Sequence, residues 1–475
     1  MFLDRIVART RSDLEQRQQA LPLEELRQQA LAQPQPRDLL AAFEPRSQVR
    51  LIAEVKRASP SKGMLAPHLA PVEQARLYED GGAAAISVLT EPHFFLGSPD
   101  YLTAIKQAVK VPVLRKDFIF DEYQIYEARA WGADAILLIC AILSDELLRH
   151  LLRIAHSLGM RCLVEVHSHE EAQRAVQAGA QIIGINSRDL VTFQMNPALI
   201  RELRSLIPAD RVVIAESGIH TEADARRLAR YDVHGMLVGE SLVTAGDVAG
   251  QIRTLLRGAN GSTQVKICGL RSPEHIDAAI EAGADLLGFV FYRPSHRYVE
   301  PQQVRSLLMA SKKFATAATG GEVTSDIVGL FVNEDVDFVN EVAEQAGLHF
   351  VQLHGTESPE FCQSIRRPVL KAIHLNGAAS LEQVEMYSNV CWRLLLDTPT
   401  TGWGGSGATH DWQLARLIAQ QTPIILAGGL HAENVAQAIE IVRPWGVDVS
   451  SGVETNKQKD PAKIRAFIQQ VRQIA

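Results

Sequence analysis

Short runs of apolar residues alternate with amphipathic stretches along most of the chain, starting after Pro34 and Pro36. The apolar runs are continuous, as expected of strands that are buried on both faces of a sheet. The stretches between them have helical character, for example Pro71–Gly81, Glu122–Trp131 and Glu170–Ala178. Many of these stretches end in a glycine, which is a helix-stop signal, as at Gly81, Gly132, Gly159 and Gly179. The alternation predicts a parallel sheet with crossover helices.

Eight strands are predicted in each half of the chain. In the first half they are Val49–Arg57, Ala84–Thr90, Val111–Phe118, Ala135–Ala141, Arg161–His167, Ile182–Arg188, Val212–Ile219 and Gly235–Leu242. In the second half they are Gln264–Leu270, Leu286–Tyr292, Asp326–Val332, Phe350–Gly355, Val369–Ile373, Trp392–Thr398, Pro423–Leu430 and Gly446–Glu454. Each set fits the roughly 200–250 residues of one (β/α)₈ barrel. An open, doubly wound sheet is the alternative, but neither half has its glycine fingerprint after the first strand.

The ends of the two halves define the domain organisation. Residues 1–30 are rich in Leu, Glu, Gln and Arg, lack glycine and predict a helix before the first barrel. The segment RGANGST at residues 257–263 is small and polar, and is interpreted as a linker or a tight junction. We therefore expect an α/β fold of two tandem (β/α)₈ TIM barrels with an extra N-terminal helical segment. The expected domains are residues 1–257 and 258–475.

Composition narrows the class of protein. A formal net charge of −7 argues against a nucleic-acid partner, because such proteins usually carry a basic surface. Charges interrupt the N-terminus, so no signal-peptide core is present, and no run of about 18 apolar residues predicts a membrane span. The five cysteines are odd in number and lack the spacing of a metal site. We expect a cytoplasmic protein that binds neither nucleic acid nor a membrane.

Four turns have the composition of phosphate-binding loops. On a (β/α)₈ barrel, phosphate binds after strands seven and eight, and these positions here read AESGI, VGESL, AGGL and DVSSGVE. Glycine lets backbone N–H groups approach an anion closely, and a following helix N-terminus adds a favourable dipole. One such turn would be an ordinary connection, but four at matching positions favour two phosphate sites. The candidate residues are Ser217, Gly218, Gly239, Ser241, Gly428, Gly429, Ser451 and Gly452.

Charged and polar residues collect at other strand ends of the first half. The candidates for catalysis are Glu54, Lys56, Lys116, Glu165, Asn186 and Glu216, and Ser59 and Arg188 follow nearby. Alternate residues of a strand share a face, so Glu54 and Lys56 point the same way. A structural ion-pair network is the alternative, but acids and bases from several strands that meet at one barrel mouth favour catalysis.

The second half has fewer candidates. Cys268 ends its first strand, and Asp397 ends its sixth strand on the opposite side of the expected barrel. A thiolate can take a proton and a carboxylic acid can give one, which suits an isomerisation by proton transfer without a metal. Arg297, Gln352 and His354 are further candidates at the same mouth. A free cysteine is usually a small buried hydrophobe, and this is our interpretation of Cys140 and Cys162.

Two long loops resemble lids. ASPSKGMLAPHLAP follows the first strand, and PTTGWGGSGATHDW follows the sixth strand of the second barrel. Plain surface connections are the alternative for both, and SKKFATAATGGEVTS at residues 311–325 is interpreted as a flexible insertion on the other face. The scattered positions of His68, His167 and His169 indicate surface residues, and no metal constellation is visible.

At this level of detail the sequence resembles two known families. The first half resembles indole-3-glycerol-phosphate synthase through AEVKRASPSKG, SVLTEPHFFLGS, LRKDFIFDEYQI, LVEVH, IGINSRDL, AESGI and LVGESL. The second half resembles phosphoribosylanthranilate isomerase through VKICGL, LGFVFYRPSHRYV, VGLFVN, VQLHG, LLLDT, GGSG, AGGL and DVSSGVE. Together they cover nearly the whole chain, in the order of the bifunctional fusion of tryptophan biosynthesis.

The resemblance implies two consecutive reactions on small phosphorylated substrates. The C-terminal barrel would convert N-(5-phosphoribosyl)anthranilate into its deoxyribulose phosphate by an Amadori rearrangement. The N-terminal barrel would then close the indole ring with loss of carbon dioxide and water. No cofactor and no metal are implied, and we expect a monomer because the fusion already supplies a partner surface. The N-terminal helix resembles the extra segment that packs on the barrel mouth in the synthase family.

The resemblance also assigns roles in the isomerase half. Cys268 is similar to the general base, and Asp397 to the general acid that opens the furanose ring. Arg297 resembles the residue that meets the anthranilate group. Gly429, Ser451 and Gly452 would hold the phosphate.

In the synthase half, Lys116 resembles the acid that activates the substrate carbonyl, and Glu165 resembles a second acid–base group. Lys56 would lie near the substrate carboxylate and the reacting carbon, while Glu54, Asn186 and Glu216 complete the polar ring. How Lys56, Lys116, Glu54 and Glu165 divide the proton transfers stays open.

Further contacts in the synthase half follow from the same resemblance. Arg188 and Ser59 would contact carboxylate or phosphate, and Phe94 and Phe95 would pack on the aromatic ring, with core burial as the alternative. Ala58 departs from family members that have a basic residue there, so phosphate contacts can differ in detail.

A useful acid near pH 7 needs a lowered lysine pKa, and neighbouring cations could provide it. These cations are Lys56, Arg57 and Arg115.

Three other functions are compatible with parts of this pattern. One barrel could be inactive and serve as a structural partner, but the reactive residues of both families are present. A sugar-phosphate isomerase of histidine biosynthesis has a similar barrel, but it uses a pair of aspartates where this chain offers Cys268. A non-enzymatic sugar-phosphate binder would not need so many acid–base residues at strand ends.

Overall fold

A computed structural model describes residues 2–190, 192–314, 325–377, 379–397 and 412–474. The chain divides into two compact units, Met1–Gly261 and Ser262–Ala475. The domain boundary expected from the sequence follows Arg257, but the helix Val248–Asn260 continues through the first four residues of the expected linker. Its apolar face keeps Leu255 and Ala259 buried, so the helix belongs to the first unit up to its end.

Eight parallel strands form a closed barrel in the first unit. They are β1 (Arg50–Val55), β2 (Ala85–Leu89), β3 (Val113–Lys116), β4 (Ala135–Ile139), β5 (Arg161–Val166), β6 (Ile182–Asn186), β7 (Val212–Glu216) and β8 (Gly235–Val238). Each strand pairs with the next along the chain, and β8 closes on β1 with Gly235 opposite Arg50. Nearly every strand residue is buried, because one face fills the barrel and helices cover the other.

The second unit repeats this architecture. Its strands are β9 (Gln264–Cys268), β10 (Leu286–Val290), β11 (Asp326–Phe331), β12 (Phe350–Leu353), β13 (Val369–His374), β14 (Arg393–Asp397), β15 (Ile424–Leu426) and β16 (Gly446–Val449). They also close in sequence order, with β16 beside β9. The two tandem (β/α)₈ TIM barrels predicted from the sequence are therefore confirmed.

Helices connect the strands of both barrels. Those of the first unit are α1 (Phe2–Ala20), α2 (Leu23–Ala32), α3 (Pro71–Gly81), α4 (Pro99–Ala108), α5 (Glu122–Ala130), α6 (Asp145–Ser157), α7 (His169–Gln177), α8 (Leu199–Arg204), α9 (Glu222–Leu228), α10 (Glu240–Val243) and α11 (Val248–Asn260). Those of the second unit are α12 (Pro273–Ala282), α13 (Pro301–Ala310), α14 (Val336–Gln345), α15 (Pro359–Gln363), α16 (Ala379–Ser388), α17 (Trp412–Ala419), α18 (Val435–Val442) and α19 (Pro461–Gln473).

Shorter elements complete the two units. The 3₁₀ turns are Ala41–Phe43, Cys140–Ile142 and Ser451–Val453, and the two-stranded hairpins are Ala58–Ser59 with Gly63–Met64 and Glu454–Thr455 with Gln458–Lys459. The first hairpin occupies the loop after β1 that the sequence suggests as a lid. Most of the suggested lid at residues 399–412 and most of the suggested insertion at residues 311–325 lie outside the described residues.

Helix starts follow from local sequence. Side-chain oxygens accept N–H groups of the first turn and satisfy donors that the helix itself cannot. The residues that do this are Ser98, Asp121, Ser144, Ser168, Thr221, Asp247, Ser272, Ser358 and Asp460. No helix within the described ranges has the length and apolar character needed to cross a membrane.

The N-terminal segment forms two helices where the sequence predicts one. Pro22, which has no backbone N–H to donate, separates α1 from α2 and precedes the first turn of α2. Helix α1 buries Ile6 and Leu14. It contacts loops at the carboxyl ends of the strands, where the Phe2 ring lies 5.4 Å from Phe94. The segment therefore covers part of the barrel mouth.

Most of the predicted strands extend beyond the observed ones at their carboxyl ends. The largest difference is at β16, which ends at Val449 and not at Glu454. Strand β8 ends at Val238, so Ser241 lies in the short helix α10 and not in a strand. The helix-stop glycine of α3 also differs from the prediction. Gly81 is the last helical residue, and Gly82 adopts the left-handed conformation (φ 100°) that ends the helix.

Candidate active sites

The mouth of the first barrel is built around a lysine between two glutamates. Lys116 ends β3, and its Nζ donates to Glu165 Oε2 on β5 at 3.0 Å and to Glu216 Oε2 on β7 at 3.1 Å. Alternate strands of such a barrel place their inward side chains in one layer, which brings these three groups together. The two glutamates are buried, and the lysine side chain is 13% exposed.

The charges of this group are set by its own members. Burial opposes the charge of Lys116, but the carboxylates of Glu165 and Glu216 outweigh it and raise the lysine pKa above its usual range. Burial also disfavours an ionised Glu165, but Lys116 and His167 hold its pKa well below the usual value. Burial and the nearby Glu165 charge raise the pKa of Glu216. The pKa values of the two carboxyl groups are therefore shifted in opposite directions, that of Glu165 downward and that of Glu216 upward.

The prediction that neighbouring cations lower the pKa of Lys116 is wrong. Arg115 is adjacent in sequence, but adjacent strand residues point to opposite faces. It is buried on the helix side of β3, where its guanidinium pairs with Asp117 at 3.1 Å. Lys56 is paired with Glu54, with Nζ 2.7 Å from Oε2. The charges that face Lys116 are therefore carboxylates.

Asn186 connects three loops of this mouth. Its Nδ2 donates to Glu165 Oε1 at 3.2 Å, and its Oδ1 accepts from the backbone N of Arg188 at 3.0 Å and from Ser217 Oγ at 2.8 Å. One amide therefore positions a reactive carboxylate together with the turns after β6 and β7.

The turns after β7 and β8 lie against the same group. Ser217 and Gly218 both have positive φ values, 68° and 71°, which turn the chain sharply. Gly239 faces the Glu54–Lys56 pair, and a Cβ there would lie 2.6 Å from Glu54 Oε2. Ser241 points its hydroxyl at Ile219 O, 2.9 Å away, and so ties the two turns together.

Most of the residues predicted for this half line one cavity. They are Glu54, Lys56, Ser59, Lys116, Glu165, Asn186, Arg188, Glu216, Ser217, Gly218 and Gly239. Sequence reasoning missed Lys62, whose side chain forms an ion pair with Glu240 across the cavity rim between the hairpin after β1 and α10.

The cavity also has an apolar wall. Phe95 lines it as predicted, whereas Phe94 packs on Phe2 instead. Phe118, Leu190 and Phe193 also line the wall, although sequence reasoning missed them. Phe118 is the last residue of a predicted strand, and the other two lie a few residues beyond one, so position was the available signal. A flat apolar surface beside a charged ring suits a substrate that carries an arene and anionic groups.

His167 is not the surface residue that the sequence suggested. Its side chain is only 12% exposed and lies between the carboxylates of Glu165 and Glu171. His169, two residues later, is exposed as expected.

The mouth of the second barrel places a thiol over a buried ion pair. Cys268 ends β9 and is 4% exposed. Lys266 lies two residues earlier on the same face, with its Nζ 3.0 Å from Asp448 Oδ1. Burial raises the pKa of Cys268, while the Lys266 cation opposes this rise. On the neighbouring strand, Gly288 leaves room for this pair, because a Cβ there would lie 3.3 Å from Cys268 Sγ.

Asp397 ends β14 beside an imidazole. His354 Nε2 lies 3.3 Å from Asp397 Oδ2, and Gln352, fully buried, lies 3.0 Å from the other ring nitrogen. The His374 ring is 5.4 Å away, centroid to centroid. The donor atoms of His354, His374 and Asp397 lie within 4.8 Å of one another, close enough to share a metal ion. The expectation of a metal-free site stays a prediction.

Arg297 lies across the backbone next to Cys268. A Cβ on Gly269 would lie 2.7 Å from Arg297 Cδ, so the guanidinium passes close to the thiol-bearing strand. Its Nε and Nη2 donate to Glu454 at 2.7 and 3.0 Å. Lys459 contacts the same carboxylate at 2.7 Å. Burial opposes ionisation, but these two cations lower the pKa of Glu454 to about 2. Sequence reasoning missed Glu454 and Lys459.

The glycine turns of the second barrel lie together after β15 and β16. Gly428 and Gly429 have φ values of 80° and 65°. Gly452 lies in a 3₁₀ turn so close to Leu430 O that no side chain fits there. Ser451 precedes it in the same turn, and Ser450 Oγ donates to Cys268 O at 3.1 Å, which links the turn to the reactive strand.

These two closed barrels, each with its reactive side chains at the carboxyl ends of its strands, define a tandem TIM-barrel enzyme. Two family models match the chain: "Indole-3-glycerol phosphate synthase" over residues 3–255, and "N-(5'phosphoribosyl)anthranilate (PRA) isomerase" over residues 265–470. The chain belongs to the indole-3-glycerol phosphate synthase family, with a phosphoribosylanthranilate isomerase domain after it, and is a bifunctional enzyme of tryptophan biosynthesis.

Relatives of both kinds support this assignment. A protein of Vibrio parahaemolyticus named "Tryptophan biosynthesis protein TrpCF" is 38% identical over 429 residues, covering 89% of this chain and 84% of that protein. The "Indole-3-glycerol phosphate synthase" of Dehalococcoides mccartyi is 51% identical over 259 residues, covering 54% of this chain and 100% of that protein. The "Multifunctional tryptophan biosynthesis protein" of Phycomyces blakesleeanus is 39% identical over 480 residues, and these cover 89% of this chain but only 63% of that longer protein.

The predicted family and the predicted lyase and isomerase classes are therefore confirmed. The alternative in which one barrel is an inactive partner gains no support, because each half matches an enzyme family.

Proposed function

We propose that the second barrel acts first, through Asp397 and Cys268. Asp397 protonates the furanose oxygen of N-(5-phosphoribosyl)anthranilate and the ring opens. The Cys268 thiolate then removes the C2′ proton to give an enolamine, which tautomerises to the ketone 1-(2-carboxyphenylamino)-1-deoxyribulose 5-phosphate. This assignment is supported by the positions of both residues at strand ends of one mouth. Lys266 supports it further, because a cation beside the sulfur stabilises the thiolate when it forms.

In the first barrel, Lys116 acts on the carbonyl of that product. Its ammonium group donates to the carbonyl oxygen while the aromatic carbon attacks, and carbon dioxide then leaves. Its raised pKa supports this role, because the lysine is a charged donor at neutral pH. The ionised Glu165 accepts a proton and the protonated Glu216 supplies one during loss of water. The final product is indole-3-glycerol phosphate.

The remaining polar residues bind the substrate. Lys56, held by Glu54 at 2.7 Å, meets the carboxylate of the arene before it leaves as carbon dioxide. Ser59 and Arg188 contact the anionic groups at the cavity rim. In the second barrel, Arg297 meets the anthranilate carboxylate.

Phosphate binds to the turns after strands seven and eight of each barrel. These turns contain Ser217, Gly218, Gly239 and Ser241 in the first barrel and Gly428, Gly429, Ser451 and Gly452 in the second. Their positive-φ and sterically required glycines support this placement, since a bare backbone lets an anion approach the N–H groups.

We further propose that the chain works as a monomer in the cytoplasm. The five cysteines, all within the described residues, are free. A reducing compartment suits such thiols.

The single observation that carries the assignment of two sites is the presence of different reactive groups in the two mouths, Lys116 between carboxylates and Cys268 over an ion pair. The test is a pair of separate assays on the purified chain, each started from its own substrate. One follows loss of anthranilate fluorescence from N-(5-phosphoribosyl)anthranilate, and the other follows absorbance of the indole product made from the deoxyribulose phosphate. We expect Cys268→Ala to abolish the first conversion alone, and Lys116→Ala the second alone.

Two matched variants control for side-chain removal as such. Cys391→Ala removes another thiol of the second unit, and Lys110→Ala removes an exposed lysine of the first. Both should keep both activities. Loss of both activities in either reactive-site variant would contradict separate sites, and a wild-type chain that converts neither substrate would contradict the proposed reactions.

A further inference from the structure

The strand that presents Glu165 also presents a histidine that no role above explains. His167 directly follows β5, and its ring lies between two carboxylates. Nε2 is 3.2 Å from Glu165 Oε1, and Nδ1 is 3.2 Å from Glu171 Oε2 on α7. The Nε2 contact with Glu165 lacks hydrogen-bond geometry and is a contact of charge, and two carboxylates this close to one ring favour the protonated imidazolium.

The far carboxylate is itself fixed. Glu171 Oε2 also accepts from the backbone N of His167 at 2.8 Å, and Ser168 caps the helix by accepting from the backbone N of Glu171 at 3.2 Å. The start of α7 therefore holds Glu171 in place, and Glu171 holds the ring against Glu165.

The two glutamates that flank Lys116 differ by two contacts, and His167 is the titratable one of the two. Glu165 is contacted by Lys116, Asn186 and His167, whereas Glu216 shares Lys116 alone among these donors. Two carboxyl groups that share one cation repel each other when both are ionised, so one of them tends to keep its proton. The additional cation beside Glu165 decides which carboxyl group is ionised.

We propose that His167 is a positioning residue of the synthase reaction, which as an imidazolium bridging Glu165 and Glu171 keeps Glu165 an ionised base and leaves the proton on Glu216. This proposal rests on the acid–base roles proposed above for Glu165 and Glu216. It adds the group that separates those roles, which lies beside the carboxylate and outside the residues that line the cavity.

Charges around the bridge are consistent with an imidazolium. Burial opposes the charge, but the carboxylates of Glu165 and Glu171 raise the pKa of His167 to about 10. The other titratable groups nearby are Cys140, whose pKa burial raises, and Arg174, which is engaged by Asp145 at 2.6 Å. Beyond Glu165 lie Lys116, Glu216 and Glu54.

The test compares His167→Gln, His167→Phe and the exposed control His169→Gln in both assays across pH. Removing the cation raises the pKa of Glu165, so the acid limb of the synthase kcat profile should move up by about one pH unit. We expect kcat to fall about tenfold in His167→Gln and further in His167→Phe, with KM within about twofold. His169→Gln and every isomerase rate should stay at the wild-type value.

A purely structural role predicts a different order, because Phe preserves the volume of the ring better than Gln. If His167→Phe keeps the wild-type kcat and pH profile, the proposal is wrong. If both variants fail to fold, Glu171→Gln takes their place. We expect it to shift the same limb upward by a smaller amount, and an unshifted profile would reject the proposal.

A second measurement does not depend on activity. In ¹H–¹⁵N spectra of the imidazole groups of the wild-type chain, the ring that is missing from His167→Gln should stay doubly protonated at pH 8. A ring that titrates near pH 6.5 would overturn the bridge, even if both reactions occur. Conversely, a chain that makes no indole product but shows this protonated ring would reject the proposed reaction and leave the bridge intact.

Discussion

The two barrels share one fold but set their reactive groups in opposite ways. In the first, Lys116 is surrounded by carboxylates, and the charges of these neighbours decide which groups carry protons. In the second, burial raises the pKa of the Cys268 thiol, and the cation of Lys266, which is paired with Asp448, opposes the rise only in part. The comparison teaches that a barrel mouth can tune a proton donor or acceptor through a network of charges or through burial over a single ion pair.

The largest effect on the two rates is expected when one acid–base group in each mouth is replaced by its neutral amide. Glu165→Gln should lower the synthase rate, and Asp397→Asn the isomerase rate, by about 10²–10⁴ each, because each removes a proton-transfer group. The other reaction of each variant should be unchanged when assayed with its own substrate. Glu170→Gln, an exposed neighbour on α7, is the control. A fall in both reactions from one substitution would mean that the mouths are not independent.

The second test concerns the buried ion pair. Lys266→Met should destabilise the second unit by about 3–5 kcal/mol, because it leaves the buried Asp448 carboxylate without its cation. Urea unfolding, followed with the two activities, would show which unit is affected. Lys313→Met, which removes an exposed pair with Glu281, should change the free energy of unfolding far less. Equal losses of unfolding free energy in the two variants would mean that the Lys266–Asp448 pair contributes no more than an exposed ion pair.

A third test uses the glycines that make room for each reactive pair. Gly239→Ala would place a Cβ 2.6 Å from Glu54 Oε2, and Gly288→Ala one 2.9 Å from the Cys268 Cα. Each should cost about 1–3 kcal/mol through displaced neighbours and should slow only the reaction of its own barrel. Gly246→Ala, where a Cβ meets open space, is the matched control. Thermal unfolding and both rate assays together would detect the effect, and wild-type behaviour of both variants would show that these side chains can move freely.

The smallest expected effect is a dependence of stability on pH in the first unit. Burial and the nearby Arg204 and Arg46 lower the pKa of His234 to about 4, while Val213 N donates to its Nδ1 at 3.0 Å. The unfolded chain therefore binds more protons between about pH 6.5 and 4, and stability falls as the pH drops through this window. We expect a loss of about 2 kcal/mol at pH 5 relative to pH 7, measured by urea unfolding. His234→Gln should lessen this slope, and an unchanged slope would assign it to other groups.

The fold could be predicted from the sequence because the same pattern of strand and helix recurs along the chain. Continuous apolar runs such as Ile182–Asn186 are buried on both faces, and sixteen of them in two sets of eight leave few alternatives to two barrels. Strand ends were predicted too late because apolar residues continue into the turns. The pattern from Gly235 onward gives no sign that the backbone turns at Gly239, where Glu54 leaves no space for a side chain.

Candidate residues could be predicted from their positions at strand ends, but the charged groups that surround each of them in the folded chain could not. Arg115 is next to Lys116 in sequence and faces away from it, whereas Glu216 is a hundred residues distant and is hydrogen-bonded to it. His167 was missed for the same reason. Its two carboxylate partners come from the same strand and the following helix, and only the folded backbone brings them to both sides of one ring.

Closure of both sheets affects how two barrels can be joined in one chain. Every barrel strand hydrogen-bonds to a neighbour on each side, with β8 beside β1 and β16 beside β9. Neither barrel therefore offers an unpaired strand edge onto which the other could add a strand. Once folded, two sheets of the same size and direction can therefore follow each other in one chain without exchanging strands.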